Sequence, residues 1–235
     1  MSQSTLYAAE IGVAIAILIS AYLIGSIPWA YIIVRRVTGE DITAHGTGNV
    51  GSMNVRRTTG SWGWFAVAMA ADMFKGFAPV AAVKLIQGMS IAVPFGVTLT
   101  GGLTLTALAV PAMVLGAVLG HNYSVWMALI KKRFVQTGKG LATGAGALLA
   151  YDWRYFLAVV VIGLLTIAVT RYMMAGQVTA AFTLPATALV LRSPDWPFAL
   201  FIGLLVYAAH HKRFIGLLQG REPKLYIEDR MGPRG

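Results

Sequence analysis

The sequence predicts an all-α integral membrane protein with about seven transmembrane helices, an amino terminus outside and a cytoplasmic carboxyl terminus. Hydrophobic residues make up 57% of the 235 residues and charged residues 12%, with a mean hydropathy of +0.69. Soluble domains carry about a quarter charged residues. The net charge of +10 gathers between the apolar runs, which is typical of membrane loops and not of a nucleic-acid-binding surface, so no nucleic acid partner is expected.

Seven apolar runs follow one another, and most are long enough to cross a bilayer. The first contains Pro28 near its end and predicts one kinked helix that is retained, not a cleaved signal peptide. The fourth and fifth runs are short and are expected to tilt or to span incompletely. With no internal repeat or linker, we expect a single domain over residues 1–235. The runs cover about residues 6–34, 62–86, 97–119, 140–150, 156–170, 173–191 and 198–210.

Three basic clusters give the orientation. They follow the first, third and seventh runs, so they share one face with seven spans or with five. The positive-inside rule makes that face cytoplasmic. Arg171 agrees with this orientation and Arg192 does not. The clusters are Arg35, Arg36, Arg56 and Arg57; Lys131, Lys132, Arg133 and Lys139; and Lys212, Arg213, Arg221, Lys224 and Arg230.

The first motif is the segment GTGNVGSMNVRR, residues 46–57, between the first two runs. Glycines let backbone N–H groups approach a ligand, asparagine amides donate hydrogen bonds and arginines clamp anions, so a phosphorylated ligand is predicted. The segment also matches G-x-G-x-x-G, but a dinucleotide site needs a preceding strand and a βαβ unit, which are not expected here. A glycine-rich turn without a ligand is the alternative.

The second motif is TGKG, residues 137–140, which opens a helix. A lysine between glycines at a helix amino terminus suits an anion, although interfacial lysines often only snorkel. The spacing does not fit a Walker A loop. Upstream, His121 in the segment GHNYS is either a base or an interfacial hydrogen-bonding group. The chain has no cysteine, which excludes disulfides and thiolate metal sites.

Two further polar groups lie in or beside apolar runs. Asp72 and Lys75 are one turn apart within the second run, where they are either functional or a self-neutralising ion pair. The seventh run ends at the sequence HHKR, residues 210–213. That sequence is either part of a site or a basic cap that binds anionic lipids.

Four segments in this order resemble the PlsY acyl-phosphate:glycerol-3-phosphate acyltransferases: GTGNVGSMNVRR, the D-x-x-K-G sequence at 72–76, GHNYS to TGKGLATG, and HHKRFIGLLQGRE. The resemblance covers most of the chain. It implies a seven-helix enzyme of the bacterial cytoplasmic membrane, with its active site on the cytoplasmic face and no metal or other cofactor. Acyl phosphate and glycerol 3-phosphate would be its substrates, with lysophosphatidic acid as product, and membrane lipids would surround it. A monomer is compatible with the sequence.

The resemblance assigns the residues of the site. Lys139, His210 and His121 are the catalytic candidates, although a shift of one residue would replace His210 with His211. Arg213 stands where the family has asparagine, and Gly216 where it usually has arginine. Other departures are Thr47 for serine, Ser52 and Met53 for alanine and threonine, and Thr137 for glycine. The substrate-binding candidates are Thr47, Gly48, Asn49, Gly51, Asn54, Arg57, Gly138, Gly140 and Arg213.

The chemistry needs no covalent intermediate, because acyl phosphate is an activated mixed anhydride that an alcohol can attack directly. The enzyme must position two mutually repelling anions, which Arg57 and Lys139 can offset. His210 or His121 could act as the base; for the family, the acceptor's own phosphate is the proposed base. Two alternatives stay open: an acyltransferase with another phosphorylated polyol or lipid acceptor, and a transporter of phosphorylated metabolites. The missing symmetry between halves disfavours the transporter.

Overall fold

The computed structural model describes residues 3–87, 91–93, 97–99, 103–222 and 224. Within these residues the fold is helical, apart from a short antiparallel hairpin and a 3-10 turn at Ile42–Ala44. The hairpin strands are β1 (Ile91–Val93) and β2 (Val97–Leu99). The α-helices are α1 (Gln3–Gly25), α2 (Trp29–Thr38), α3 (Ser52–Thr59), α4 (Trp62–Gln87), α5 (Leu103–Asn122), α6 (Val125–Lys131), α7 (Leu141–Tyr151), α8 (Trp153–Thr170), α9 (Met173–Val190) and α10 (Trp196–Leu218).

Several helices are long and apolar enough to cross a membrane. In the described part of the chain five pass this test: Ile11–Thr38, Trp62–Leu85, Ala109–Lys131, Trp153–Thr170 and Met173–Val190. The two parts of α10, bent by 67°, make a sixth if they form one span. At 1.5 Å per residue, α7 rises only about 16 Å, which is too short for a hydrocarbon core of about 30 Å. The membrane-embedded helical fold is confirmed, whereas seven spans and their orientation stay predictions.

Three boundaries differ from the sequence expectation. The first run is broken, since α1 ends at Gly25 and α2 begins after Pro28. The third run begins later than expected, because Ile91 to Val93 pair with Val97 to Leu99 in a hairpin before α5 starts; residues 88–90 and 94–96 of the expected turn lie outside the described part. Helix α10 continues past His210, because polarity marks the edge of the apolar region without ending a helix. It ends at Leu218, and Gly220, two residues later, has φ of +68° in the left-handed region that commonly follows a helix end.

The described residues form two compact units, Met1–Trp153 and Arg154–Gly235. In the first unit, α5 packs along α1, and α4 packs along α7. Glycines allow these close approaches: a Cβ at Gly120 would strike the Tyr22 carbonyl oxygen, and one at Gly146 would strike that of Met73. Such small residues let helix backbones approach in a membrane, where no hydrophobic force drives them together. The single domain predicted over residues 1–235 stays a prediction.

The second unit contains most of α8 together with α9 and α10. Helices α9 and α10 pack against each other, and a Cβ at Gly203 would strike the Ala181 carbonyl oxygen. The Tyr207 ring lies 6.4 Å from that of Phe182 and 5.7 Å from that of Phe214. Large apolar side chains such as Leu164, Val169 and Val190 are exposed on these helices, as expected where lipid is the solvent.

Candidate active site

Asn54 on α3 holds the first polar loop together. Its side chain is 2% exposed, and its Nδ2 donates to the carbonyl oxygens of Ile42 at 3.1 Å, His45 at 3.0 Å and Asn49 at 3.0 Å. Its Oδ1 has no hydrogen-bond partner among the described residues. Since its donors are used within the loop, Asn54 shapes this candidate binding segment from beneath.

Two glycines give the loop its path. Gly46 has φ of +54° and Gly48 has φ of +69°, in the left-handed region that disfavours other residues. A Cβ at Gly46 would also strike Asn54 Oδ1 and would lie 3.4 Å from Arg57 Cδ. The stem of Arg57 therefore lies beside the first glycine of the loop. The loop needs glycine at these positions for its own geometry, whether or not a ligand is bound.

The loop presents polar groups outward. Thr47 and Arg57 are exposed, while Asn49 is half-buried. Asn49 Nδ2 lies 3.1 Å from where a Cβ at Gly51 would stand. The neighbouring Arg56 guanidinium stacks 4.0 Å above the Trp62 ring, so the two arginines have different surroundings. Arg57 is the arginine available to an anion at this surface.

A hydrogen bond joins the two predicted motifs. The Val50 N–H donates to the Thr137 carbonyl oxygen at 2.8 Å. Thr137 is held in turn, since its N–H donates to the Asn122 carbonyl oxygen at 2.8 Å and its hydroxyl donates to that of His121 at 3.2 Å. The glycine-rich loop and the segment that carries Lys139 therefore lie side by side, as the phosphate-site hypothesis requires.

The segment from Gly138 to Gly140 packs closely on the end of α5. A Cβ at Gly138 would strike the His121 ring and its carbonyl oxygen. Gly140 has φ of +70° and is the amino-terminal cap of α7. A Cβ there would lie 3.0 Å from Asn122 Oδ1. Lys139, between these glycines, is half-buried at the amino terminus of α7, where the helix dipole favours anions.

A chain of buried ionisable groups lies behind this segment. His121 Nδ1 is 3.7 Å from Asp72 Oδ1, and the same carboxylate oxygen is 2.9 Å from Lys75 Nζ. Lys75 also donates to the Ile27 carbonyl oxygen at 2.8 Å, at the break between α1 and α2. The exposed fractions are 2% for Asp72, 4% for Lys75 and 8% for His121. The i,i+3 ion pair, one of the two alternatives for these residues, is present, and a histidine from another helix lies beside it.

In the second unit, the candidates lie around the bend of α10. His210 is buried, with Nδ1 2.8 Å from the Val206 carbonyl oxygen, whereas His211 is exposed. Arg213 makes a bidentate contact with Glu222, its Nε at 3.1 Å and its Nη2 at 2.5 Å from the carboxylate oxygens. A side chain at Gly216 would begin 3.4 Å from Glu222 Oε1. Arg213 is therefore already paired with an acidic residue.

Comparison with known proteins identifies the family. A sequence profile described as glycerol-3-phosphate acyltransferase matches residues 15–220, which is most of the chain. The chain belongs to the glycerol-3-phosphate acyltransferase family. This finding confirms the resemblance inferred from the four motifs.

Relatives of this acyltransferase extend over nearly its whole length. The glycerol-3-phosphate acyltransferase of Desulforudis audaxviator is 33% identical over 207 residues, which cover 87% of this chain and 91% of the relative. One from Thermus thermophilus is 37% identical over 212 residues, covering 88% of this chain and 93% of the relative. Crystal structures of PlsY (YgiH), an integral membrane glycerol 3-phosphate acyltransferase, in its glycerol 3-phosphate and lysophosphatidic acid forms are also similar. Each has a TM-score of 0.69 and 29% identity, covering 90% of this chain and 94% of that chain.

The structure of this acyltransferase also contains contacts that its sequence did not reveal. Sequence reasoning noted Asp72 and His121 separately, but nothing in their spacing indicated that they meet. Asn122 was missed as well: it is buried, and its Oδ1 has no hydrogen-bond partner among the described residues. Its position in the segment GHNYS was the only available signal. In the parts of the chain described, no three His, Cys, Asp or Glu side chains are grouped as a metal ion would need.

Proposed function

We propose that this chain transfers a fatty acyl group from acyl phosphate to the sn-1 hydroxyl of glycerol 3-phosphate, giving lysophosphatidic acid, at the cytoplasmic face of a bacterial cytoplasmic membrane. The observation that carries the proposal is the Val50 to Thr137 hydrogen bond, because it places the loop of Arg57 beside the segment of Lys139. Two phosphorylated substrates repel each other, so their site needs cations from both segments. The names and bound forms of the relatives supply the acceptor and the product.

The reaction is a direct acyl transfer. The acceptor hydroxyl oxygen attacks the acyl carbonyl carbon and forms the ester bond, while the bond from that carbon to the phosphate oxygen breaks. The hydroxyl proton passes to the phosphate of glycerol 3-phosphate, and the donor's phosphate is released as inorganic phosphate. Because the mixed anhydride is already activated, the enzyme acts by holding the two reactants together, which can supply about 7–11 kcal/mol of the barrier.

The two cations have distinct surroundings in this proposal. Arg57 is exposed beside the glycine loop and offers a planar pair of donors to a phosphate. Lys139 stands at the amino terminus of α7, whose first N–H groups add to the positive potential. Thr47, Gly48, Asn49 and Gly51 then line the mouth beside Arg57. Arg213 is paired with Glu222, so we assign it to anchoring the segment after α10 instead of to a phosphate.

The proton acceptor in this proposal is the phosphate of glycerol 3-phosphate. His121 is buried beneath Gly138, and His210 is buried in α10. A general base must come within hydrogen-bond reach of the proton that it removes, either directly or through one water molecule. Burial of both imidazoles therefore favours the substrate phosphate, which necessarily accompanies the hydroxyl. His210 lies in the second unit at the bend of α10, with its Nδ1 2.8 Å from the Val206 carbonyl oxygen, and its catalytic role stays a prediction.

The test uses purified protein in lipid nanodiscs with glycerol 3-phosphate and either acyl phosphate or acyl-CoA, with lysophosphatidic acid measured by mass spectrometry. We expect product from acyl phosphate. Arg57→Ala and Lys139→Ala should each lower kcat/KM by about 100-fold or more, since each removes a charge-assisted contact worth about 3 kcal/mol. Arg36→Ala, an exposed arginine outside the motifs, is the matched control and should retain activity.

Three results would contradict the proposal or change it. No product from acyl phosphate would exclude the reaction. Equal activity in the Arg57, Lys139 and Arg36 variants would remove the clamp. Product with a different phosphorylated polyol, but none with glycerol 3-phosphate, would reassign the acceptor. Thr47→Ser, which restores the serine usual in the family, would then be the first variant to make.

A further inference from the structure

Lys75, Asp72 and His121 form a buried chain of contacts that the proposed reaction does not use. Placing three ionisable groups beneath the protein surface costs free energy unless they pair closely. Here one carboxylate oxygen lies 2.9 Å from the ammonium and 3.7 Å from the imidazole. Apolar side chains of similar volume could pack here at a lower cost in free energy. Stability alone therefore does not explain why these three ionisable groups are buried together.

We propose that His121, which faces the Asp72–Lys75 ion pair, is a positioning residue that sets the place of the Lys139 ammonium in the phosphate site. This inference rests on the proposed function, because it assigns the way in which one of its two cations is held. His121 does not touch the substrates. It acts through Gly138, the residue that precedes Lys139.

The contact between His121 and Gly138 transmits this effect. No side chain fits between the His121 ring and the Gly138 backbone, since a Cβ at Gly138 would overlap Nε2 and Cδ2. Thr137 fastens the same stretch, because its hydroxyl donates to the His121 carbonyl oxygen at 3.2 Å. A shift of the imidazole therefore moves the peptide that leads into Lys139 and weakens the contact of its ammonium with the phosphate.

At the other end of the chain of contacts, Lys75 contacts the backbone between two membrane helices. Lys75 donates to the Ile27 carbonyl oxygen at 2.8 Å, where the backbone leaves α1 before Pro28. The Trp29 N–H also donates to that carbonyl oxygen at 3.1 Å, so the ammonium supplies a second hydrogen bond to a carbonyl that lies outside the regular helices. The imidazole on α5 therefore faces an ion pair on α4 that also contacts the backbone between α1 and α2.

The test compares His121→Phe with wild type. Phenylalanine keeps a ring under Gly138 but removes the contact with Asp72. We expect KM for glycerol 3-phosphate to rise about tenfold with kcat within about threefold, because ground-state and transition-state binding of the phosphate weaken together. Asp72→Asn combined with Lys75→Met removes both charges without leaving one unpaired, and should give the same shift. Thr183→Val, which removes a buried hydroxyl on α9, is the control and should leave KM unchanged.

A double-mutant cycle separates positioning from stability. In a Lys139→Ala background, measured as kcat/KM at raised enzyme concentration, His121→Phe should cause no further loss, because the residue that it positions is gone. Three results would overturn the inference. One is a loss from His121→Phe in the Lys139→Ala background that equals its loss in the wild-type background, and another is an unchanged KM in His121→Phe alone. The third is unfolding of both His121→Phe and the Asp72→Asn, Lys75→Met variant. Glycerol 3-phosphate binding by calorimetry gives a readout without turnover, so a wild-type enzyme that binds but makes no product would count against the proposed reaction and leave the positioning test intact.

Discussion

Asn54→Ala should open the glycine loop while leaving the helices folded. The amide carries two N–H hydrogens, yet three loop carbonyl oxygens, those of Ile42, His45 and Asn49, share its nitrogen at 3.0–3.1 Å. Losing both donors costs about 2–3 kcal/mol in the closed loop, at about 1–1.5 kcal/mol for each hydrogen bond. Because about 1.4 kcal/mol is tenfold, the closed population falls relative to the open one by about 30- to 150-fold.

Steady-state kinetics with glycerol 3-phosphate as the varied substrate measures this loss. KM should rise by up to this factor of about 30 to 150 when the open loop becomes the major form. Asn54→Asp keeps the shape but turns a carboxylate toward the same carbonyls, so its effect should be at least as large. The control is Thr58→Val on the same helix, since the Thr58 hydroxyl only donates to a helix carbonyl at 2.9 Å. A KM within twofold of wild type for Asn54→Ala, or an equal loss in the control, would refute the reasoning.

Two glycine substitutions test the close contacts. Gly138→Ala should lower kcat/KM by about 100-fold, because the added Cβ displaces the Lys139 segment from the His121 ring. Gly144→Ala is the control and should be tolerated, since its Cβ would meet only an ordinary contact at 3.8 Å. Equal activity of the two variants would contradict the packing argument. Gly120→Ala should lower the midpoint of thermal unfolding, since overpacking against α1 costs about 1–3 kcal/mol. Gly12→Ala, in open space on α1, should not lower it, and a matching decrease there would show that the contact is unimportant.

Much of the helical fold could be predicted from hydropathy. The runs expected at about 62–86 and 173–191 correspond to Trp62–Gln87 and Met173–Val190. Hydropathy was less informative at the ends of other runs. It did not distinguish the hairpin before α5 from helix, because short apolar runs are compatible with both. It also ended the last run near His210, because polarity at a membrane boundary does not stop a helix.

The candidate site was predicted in parts. The glycine loop and TGKG were each recognisable because glycine, asparagine and cationic residues are concentrated in short segments. The role of Asn54 differed from the simplest expectation, since its donors face its own loop instead of the surface. The pairing of Arg213 with Glu222 could not be inferred either, because it depends on the path that the chain takes after Gly220.

The sequence by itself determined which segments are apolar, where the basic clusters lie between them and which family the chain belongs to, because these properties depend on local composition and order. The tertiary structure alone decided that Val50 meets Thr137 and that Asp72 faces His121. These contacts join residues far apart in the chain, and their geometry follows from how closely α1, α4, α5 and α7 approach at their glycines. Residue spacing along one helix carries no information about the register of the helix against its neighbour.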